Sequence, residues 1–244
     1  MTGAAPAMVL SKSETRALRQ VFALLAEGLD ARELRAQIGP PLLDLLHADQ
    51  FASFVWDAPA RRFADGVWLH MDDANLARYD AWYQFRDPIT LELQSRRHAT
   101  LVSEVLPHRA LRQTEFFNDF LALDGLHWGI NLHAFDGPQA LGDLRIWRSR
   151  HRQEFDARDK ALLDLIEPAF VAALRHSHPP APAVSLSPRE QEVVAQVALG
   201  HTDKEVARAL GVGVASVRTY LQRIGEKTGA HRRAAIARLA PPPR

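Results

Sequence analysis

The chain of 244 residues has no cysteine. That absence excludes disulfide scaffolds, thiolate zinc sites and thiol catalysis together. No apolar run approaches the ~18 residues that a membrane span needs. The opening stretch, MTGAAPAMVLSKSE, lacks a basic n-region and a continuous apolar h-region, so no secretory signal is read there and a cytoplasmic location is expected. Also missing are a glycine-rich phosphate loop, a nucleophile elbow and any cluster of metal-ligand residues. The expectation is a protein that is no enzyme and uses no cofactor and no metal. Aromatic residues are scarce at one end: of 5 Trp, 3 Tyr and 11 Phe, Tyr220 alone lies in the last quarter.

What is present points to two parts. A hydrophobic fraction of 47% with 24% charged residues is that of a globular protein, and the length suits two domains. The net charge of +1 hides an asymmetry, because residues 182–244 hold 10 Lys or Arg against 5 Asp or Glu while the remainder holds 20 against 24. A basic end suits a polyanion such as double-stranded DNA. The stretch HSHPPAPAVSLS, 176–187, has three prolines and no helical or strand period. We therefore expect a first domain at 1–175, a proline-rich linker at 176–185 and a second domain at 186–244.

The second domain parses into four helices. Ser187-Pro188-Arg189-Glu190 and Thr202-Asp203-Lys204-Glu205 are capping boxes, the first with proline at the opening helical position. Gly200 and Gly211 close the first two helices, a third is expected over 214–228 and stops at Gly229, and a fourth over 231–239. Within TDKEVARALGVGVASVRTYLQRI, the offsets of Val206, Ala207, Leu210, Gly211, Val212, Val217 and Tyr220 form a helix-turn-helix template. Ala207 is small where the second helix crosses the first, Gly211 takes the left-handed turn, and Val217 plugs the second helix onto the first.

On a helical wheel Val217, Leu221, Ile224 and Thr228 share the buried side, and Thr219, Gln222 and Glu226 point away with Arg218 and Arg223 on the flanks. Since the first half of such a helix enters the major groove, Arg218, Thr219 and Gln222 are the candidate base readers. Thr202, Lys204, Ser216 and Arg223 are placed for phosphates, although Thr202 also serves as an N-cap.

The segment LSPREQEVVAQVALGHTDKEVARALGVGVASVRTYLQRIGEKTG resembles the DNA-binding domain of LuxR-type transcriptional regulators. Shared features include Leu186-Ser187-Pro188-Arg189-Glu190, Lys204-Glu205-Val206-Ala207, Leu210-Gly211-Val212 and Ser216-Val217-Arg218-Thr219; Gly225 and Thr228 stand where the family usually has larger residues. The resemblance implies a DNA-binding transcription regulator with a signal-input domain upstream; a homodimer is expected because a single helix-turn-helix buries little DNA and gains affinity from pairing.

The first domain reads as α+β. Helical spacing runs over 14–38, 73–85, 88–97 and 114–123; FASFVWD and GVWLHM are strands; a hairpin turns at Asp136-Gly137; and Asp156 caps a last helix that enters the linker. Sequentially paired strands among helices indicate an antiparallel sheet flanked by helices ahead of the all-α four-helix domain, and the segments FFNDFLALDGLHWGINLHAFDG and LGDLRIWRSRHRQEFDARDKALLDLI resemble a GAF/PAS-like sandwich.

Lactone-binding members of the family carry a Trp, a Tyr four residues on, and an Asp-Pro nine beyond that. Here Asp87-Pro88 fits the end of the pattern, but Arg78 and Ala74 stand at the other two places, with Tyr79 one residue off. Dense aromatics near the strands suggest an apolar pocket for a small-molecule effector, with Trp82, Asp87, Trp128 and His133 as its expected lining. Asp87 before proline is also a natural helix cap. A second reading is a constitutive regulator whose first domain only dimerises or meets a protein partner.

Overall fold

A computed structural model describes residues 9–177, 186–228, 230, 232–237 and 239–240. Two compact units divide the chain, Met1–Pro179 and Pro180–Arg244. The residues 178–185 expected as linker, and the stop expected at Gly229, lie outside the described residues.

The first unit opens with α1 (Lys12–Ala26) and α2 (Ala31–Leu45). The helical spacing over 14–38 thus belongs to two helices rather than one. Gly28 turns left-handed at φ +73° and Asp30 caps the next helix by accepting the N–H groups of Arg32 and Glu33. The strand β1 (Gln50–Asp57) pairs antiparallel with β2 (Arg62–Leu69). There follow α3 (Asp73–Ala81), α4 (Thr90–Arg96), the two-residue β3 (Thr100–Leu101), and the short helices α5 (Val102–Val105), α6 (His108–Leu111) and α7 (Glu115–Asp119). The hairpin of β4 (Trp128–Asp136) and β5 (Gln139–Arg148) turns at Gly137, and α8 (Ala157–Ser177) starts on Asp156, whose carboxylate accepts from Arg158 and Asp159. α8 runs two residues into the stretch expected as linker.

All strands pair antiparallel in the order β2-β1-β5-β4-β3. Side-chain alternation splits the sheet into two faces. Ile130 and Leu132 of β4 with Leu144 and Ile146 of β5 pack beside Val21, Ile38, Leu42, Ile166 and Phe170 of α1, α2 and α8. Trp147 of β5 with Ala52 and Phe54 of β1 packs beside Tyr79, Tyr83, Phe116 and Phe120 of the helical layer from α3 to α7. This is the helix-flanked antiparallel sheet that the patterning predicts.

The second unit holds α9 (Pro188–Ala198), α10 (Asp203–Leu210), α11 (Val214–Thr228) and α12 (Arg233–Ala237). Val193, Val197, Val206, Ala207, Val217, Ile224 and Ile236 make its core. None of the described helices is long and apolar enough to cross a membrane.

Candidate nucleic-acid interface and aromatic cavity

The helix-turn-helix forms because each punctuating residue does what its chemistry allows. Gly211 caps α10 at φ +65°, and the N–H of Val212 returns to the carbonyl of Ala207. Ala207 and Val217 are buried where the two helices meet. Ser187 caps α9 through the N–H of Glu190, whose carboxylate answers to Ser187 and also binds Lys227 of α11 at 2.7 Å. That ion pair ties the first helix of the unit to the third. At Thr202 the hydroxyl and the N–H both donate to the Glu205 carboxylate.

Val217 and Ile224 anchor one side of α11, with Leu221 and Thr228 half-buried beside them. Arg218, Thr219, Gln222 and Arg223 all lie exposed on this helix, as do Ser216 at its start and Thr202 and Lys204 at the start of α10. Four contacts were not foreseen from spacing. Arg218 Nε stands 3.7 Å from the Asp203 carboxylate, which also accepts Arg233 Nη1 of α12 at 2.6 Å. The Gln222 amide donates to Glu226 at 2.9 Å. The hydroxyl of Thr219 donates back to the Ala215 carbonyl, so the polar arm of that side chain is engaged within its own helix.

In the first unit a narrow cavity of about 30 Å³ lies between the sheet and the helical layer. Its walls are mostly apolar, with Phe116, Phe120 and Leu121 on one side and Phe54 and Trp147 on the other. Five polar side chains join them: Tyr79, Asp87, Thr90, Asn131 and Arg145. Arg145 is the centre of this group. Its Nε donates to Asp143 at 2.9 Å, its Nη1 donates to the Tyr79 hydroxyl at 2.6 Å, and its cation lies over the rings of Phe54 and Phe63. Nη2 sits at ion-pair distance from Asp143, 2.8 Å, but makes no hydrogen bond of its own. Burial works against the charge on Arg145, and Asp143 and Tyr79 more than restore it, so the guanidinium stays ionised. Burial also pushes the Tyr79 hydroxyl and the Asp87 carboxyl up from their ordinary values.

Of the four residues expected to line a pocket, the cavity wall takes in Asp87. Oδ1 of Asp87 accepts the N–H groups of Ile89 and Thr90, and Oδ2 accepts the Thr90 hydroxyl, so it also caps the start of α4 as its place before proline suggests. Trp82 is a correction: it follows the end of α3, is 47% exposed, and stacks on Arg86 at 3.6 Å instead of facing inward. Trp128 is another, since strand alternation turns it away from the side of Asn131. Its ring packs on His108 at 4.1 Å and its indole N–H donates to the Arg152 carbonyl. His133 lies on the inward side but beside the cavity, buried 3.8 Å from Asp143. Its pKa falls to about 4, chiefly through burial, with Arg145 adding to the effect and Asp143 opposing it. His127 precedes β4, although its N–H still joins the ladder to Arg148.

Tyr79, Asn131, Asp143 and Arg145 were missed by sequence reasoning. One signal was available. Asp143, Arg145 and Trp147 alternate along β5 and so share a face, which an amphipathic reading assigns to solvent. Tyr79 is buried near the end of α3 with its hydroxyl 3.5 Å from Asp87, while Arg78 turns to the Tyr83 hydroxyl.

Comparison with known proteins matches residues 184–240 to the family described as bacterial regulatory proteins, luxR family. The HTH-type transcriptional activator RamA of Corynebacterium glutamicum is 50% identical over 48 residues, which is 20% of this chain and 17% of that protein's length. Escherichia coli SdiA has a similar fold, with a TM-score of 0.66 at 18% identity over 91% of this chain and 94% of that one. A structure of SdiA in complex with octanoyl-rac-glycerol scores 0.65 at 18% identity, covering 94% and 95%. The GAF domain of a phosphoenolpyruvate-protein phosphotransferase from Coxiella burnetii aligns with 68% of this chain and 95% of its own at a TM-score of 0.51 and 14% identity.

Proposed function

We infer that this chain, whose C-terminal unit is a LuxR-type helix-turn-helix domain, is a DNA-binding transcription regulator that reads the major groove with α11 under control of a small molecule held in its first unit. The observation that carries the DNA reading is the exposed row of Arg218, Thr219, Gln222 and Arg223 on a helix whose opposite side is pinned by Val217 and Ile224. Arg218 suits guanine, Gln222 suits adenine, and Thr219 has its hydroxyl engaged and its methyl suited to thymine. Thr202, Lys204, Ser216 and Arg223 set the register on phosphates. Two such domains, paired in a homodimer, would meet half-sites about one helical turn apart.

Control by an effector rests on the cavity. An apolar chamber with a few convergent polar groups is the usual form of a small-molecule site. A buried guanidinium with N–H groups to spare calls for an acceptor oxygen, because an unmade hydrogen bond in such a place costs roughly 1–3 kcal/mol. Arg145, Tyr79, Asp87 and Asn131 would hold the polar end, and Phe116, Phe120 and Leu121 the apolar body. Octanoyl-rac-glycerol, the molecule bound by SdiA, is the first to try.

The test is selection of DNA from a random pool by the full chain, with and without that amphiphile. A single enriched motif with paired half-sites whose recovery changes with the amphiphile supports both parts. Enrichment of no motif removes the sequence-specific reading. A motif indifferent to every amphiphile tried would favour a first unit that serves pairing alone.

A further inference from the structure

We propose that the first unit carries a second ligand site, for a small molecule bearing a phosphate dianion, in the cleft formed by the end of α6, α7 and the segments that flank β4 and β5. The cleft has a volume of about 340 Å³. Arg112, Phe117, His127, Ser149, Arg150 and His151 line it, and no carboxylate does.

Two guanidiniums, Arg112 and Arg150, arrive from separate stretches of chain without counter-ions, and the His127 imidazole comes from a third. Elsewhere on this unit exposed arginines meet carboxylates: Arg152 on Asp49, Arg158 on Glu14, Arg175 on Asp136. Arg112 and Arg150 meet none among the described residues. Arg150 instead donates its Nε to a ring nitrogen of His151 at 3.3 Å, a neutral acceptor taken in the absence of an anionic one. Asp124, next in sequence to the lining Gly125, and Asp49, bonded to the lining Ser149, are committed elsewhere. Asp49 holds Arg152 and the N–H of Ser149, and Asp124 holds Asn75 and the N–H of Asp72.

His127 registers the same imbalance. Its ring is pushed down by burial first, and then by His108, Arg112 and Arg150, with no carboxylate acting the other way. The groups that face it are His108 and Arg112 from α6 and its C-terminal end, Phe117 from α7, Trp128 from β4 and Arg150 from the loop after β5. Glu154 acts on His108 rather than on His127.

Two guanidiniums offer paired N–H groups and two positive charges, which match a phosphate dianion in geometry and in charge. Phe117 and Leu126 give the floor an apolar patch for a carbon body. A bound dianion offsets the positive field at His127 and raises its pKa, so binding takes up a proton there and tightens as the pH falls toward about 6, where the phosphate's own second proton returns. The cleft is separate from the arginine of the aromatic cavity, and the proposal stands whether or not that cavity takes an effector.

The test uses the full chain, phenyl phosphate as probe and benzyl alcohol as the uncharged control. Calorimetry should show saturable binding of the phosphate and none of the alcohol, and the His127 imidazole, followed by NMR, should rise in pKa by about one unit, equivalent to about tenfold tighter binding to the protonated form. Arg112→Ala with Arg150→Ala, both at exposed positions, should weaken binding at least about tenfold while thermal unfolding is unchanged. His127→Gln should keep binding but remove its steepening at low pH. Binding that survives the double arginine variant, or a His127 resonance that responds to duplex DNA and not to phenyl phosphate, overturns the assignment. Failure of the probe to saturate does so as well.

Discussion

Replacing Asp143 by Asn tests whether the charged pair behind the cavity holds the first unit together. Asp143 is 2% exposed at its side chain, accepts the Phe54 N–H at 2.7 Å on one oxygen and Arg145 Nε at 2.9 Å on the other, and its carbonyl takes the Ser53 hydroxyl. Asparagine keeps the shape and one acceptor. It removes the full charge that, among the described residues, faces Arg145 at hydrogen-bond distance, and it can set an amide donor against a guanidinium donor. Stripping one partner from a buried ion pair costs about 3–5 kcal/mol, because the remaining charge stays desolvated. The five tryptophans are residues 56, 68, 82, 128 and 147, so urea unfolding followed by their fluorescence reports the first unit alone. Asp143→Asn should lower its stability by about 3–5 kcal/mol, and adding Arg145→Met should recover at least about 2 kcal/mol by removing the stranded cation. A loss below about 1 kcal/mol for the single change, or no recovery in the double, would show that water or rearrangement already shields the pair and would refute the argument.

Gln222→Ala should cost about 1–3 kcal/mol on the preferred operator and relax preference at one base pair, whereas Lys204→Ala should weaken all sequences alike and reduce the salt dependence; equal losses on specific and random DNA for Gln222→Ala would remove its base-reading role. His133 titrates near pH 4 in the folded chain against about 6.5 unfolded, so its contribution is present above pH 6.5 and is lost as the pH falls through that window, by up to about 3 kcal/mol in the first unit. His133→Gln should flatten that slope in urea melts taken at successive pH values. Gly129→Ala should lower stability by about 1–3 kcal/mol, since the new methyl would lie 2.6 Å from Val102 and 2.7 Å from the Trp147 ring, with both neighbours buried; an unchanged urea midpoint would mean that they move aside freely.

The second unit is legible in its sequence because its signals are local. A cap, a glycine at a left-handed turn and a small residue at a crossing each act within a few positions, and Gly211, Ala207 and Val217 stand where those roles place them. The coarse order of the first unit, strands paired in sequence among helices, follows from periodicity as well. Its inward-facing charges do not. Asp143 and Arg145 look like the wet side of an edge hairpin until α3 to α7 cover that face, and the covering comes from residues that lie tens of positions upstream. Trp82 and Trp128 mislead for the same reason: an aromatic side chain near a strand has no direction until the strand's register and the ends of neighbouring helices fix one. The amino-acid order by itself determined the helix-turn-helix of the second unit, α10 and α11 with Gly211 between them. The tertiary structure decided which side chains line the cavity, because burial of a charge depends on what distant chain folds over it, and no local spacing records that.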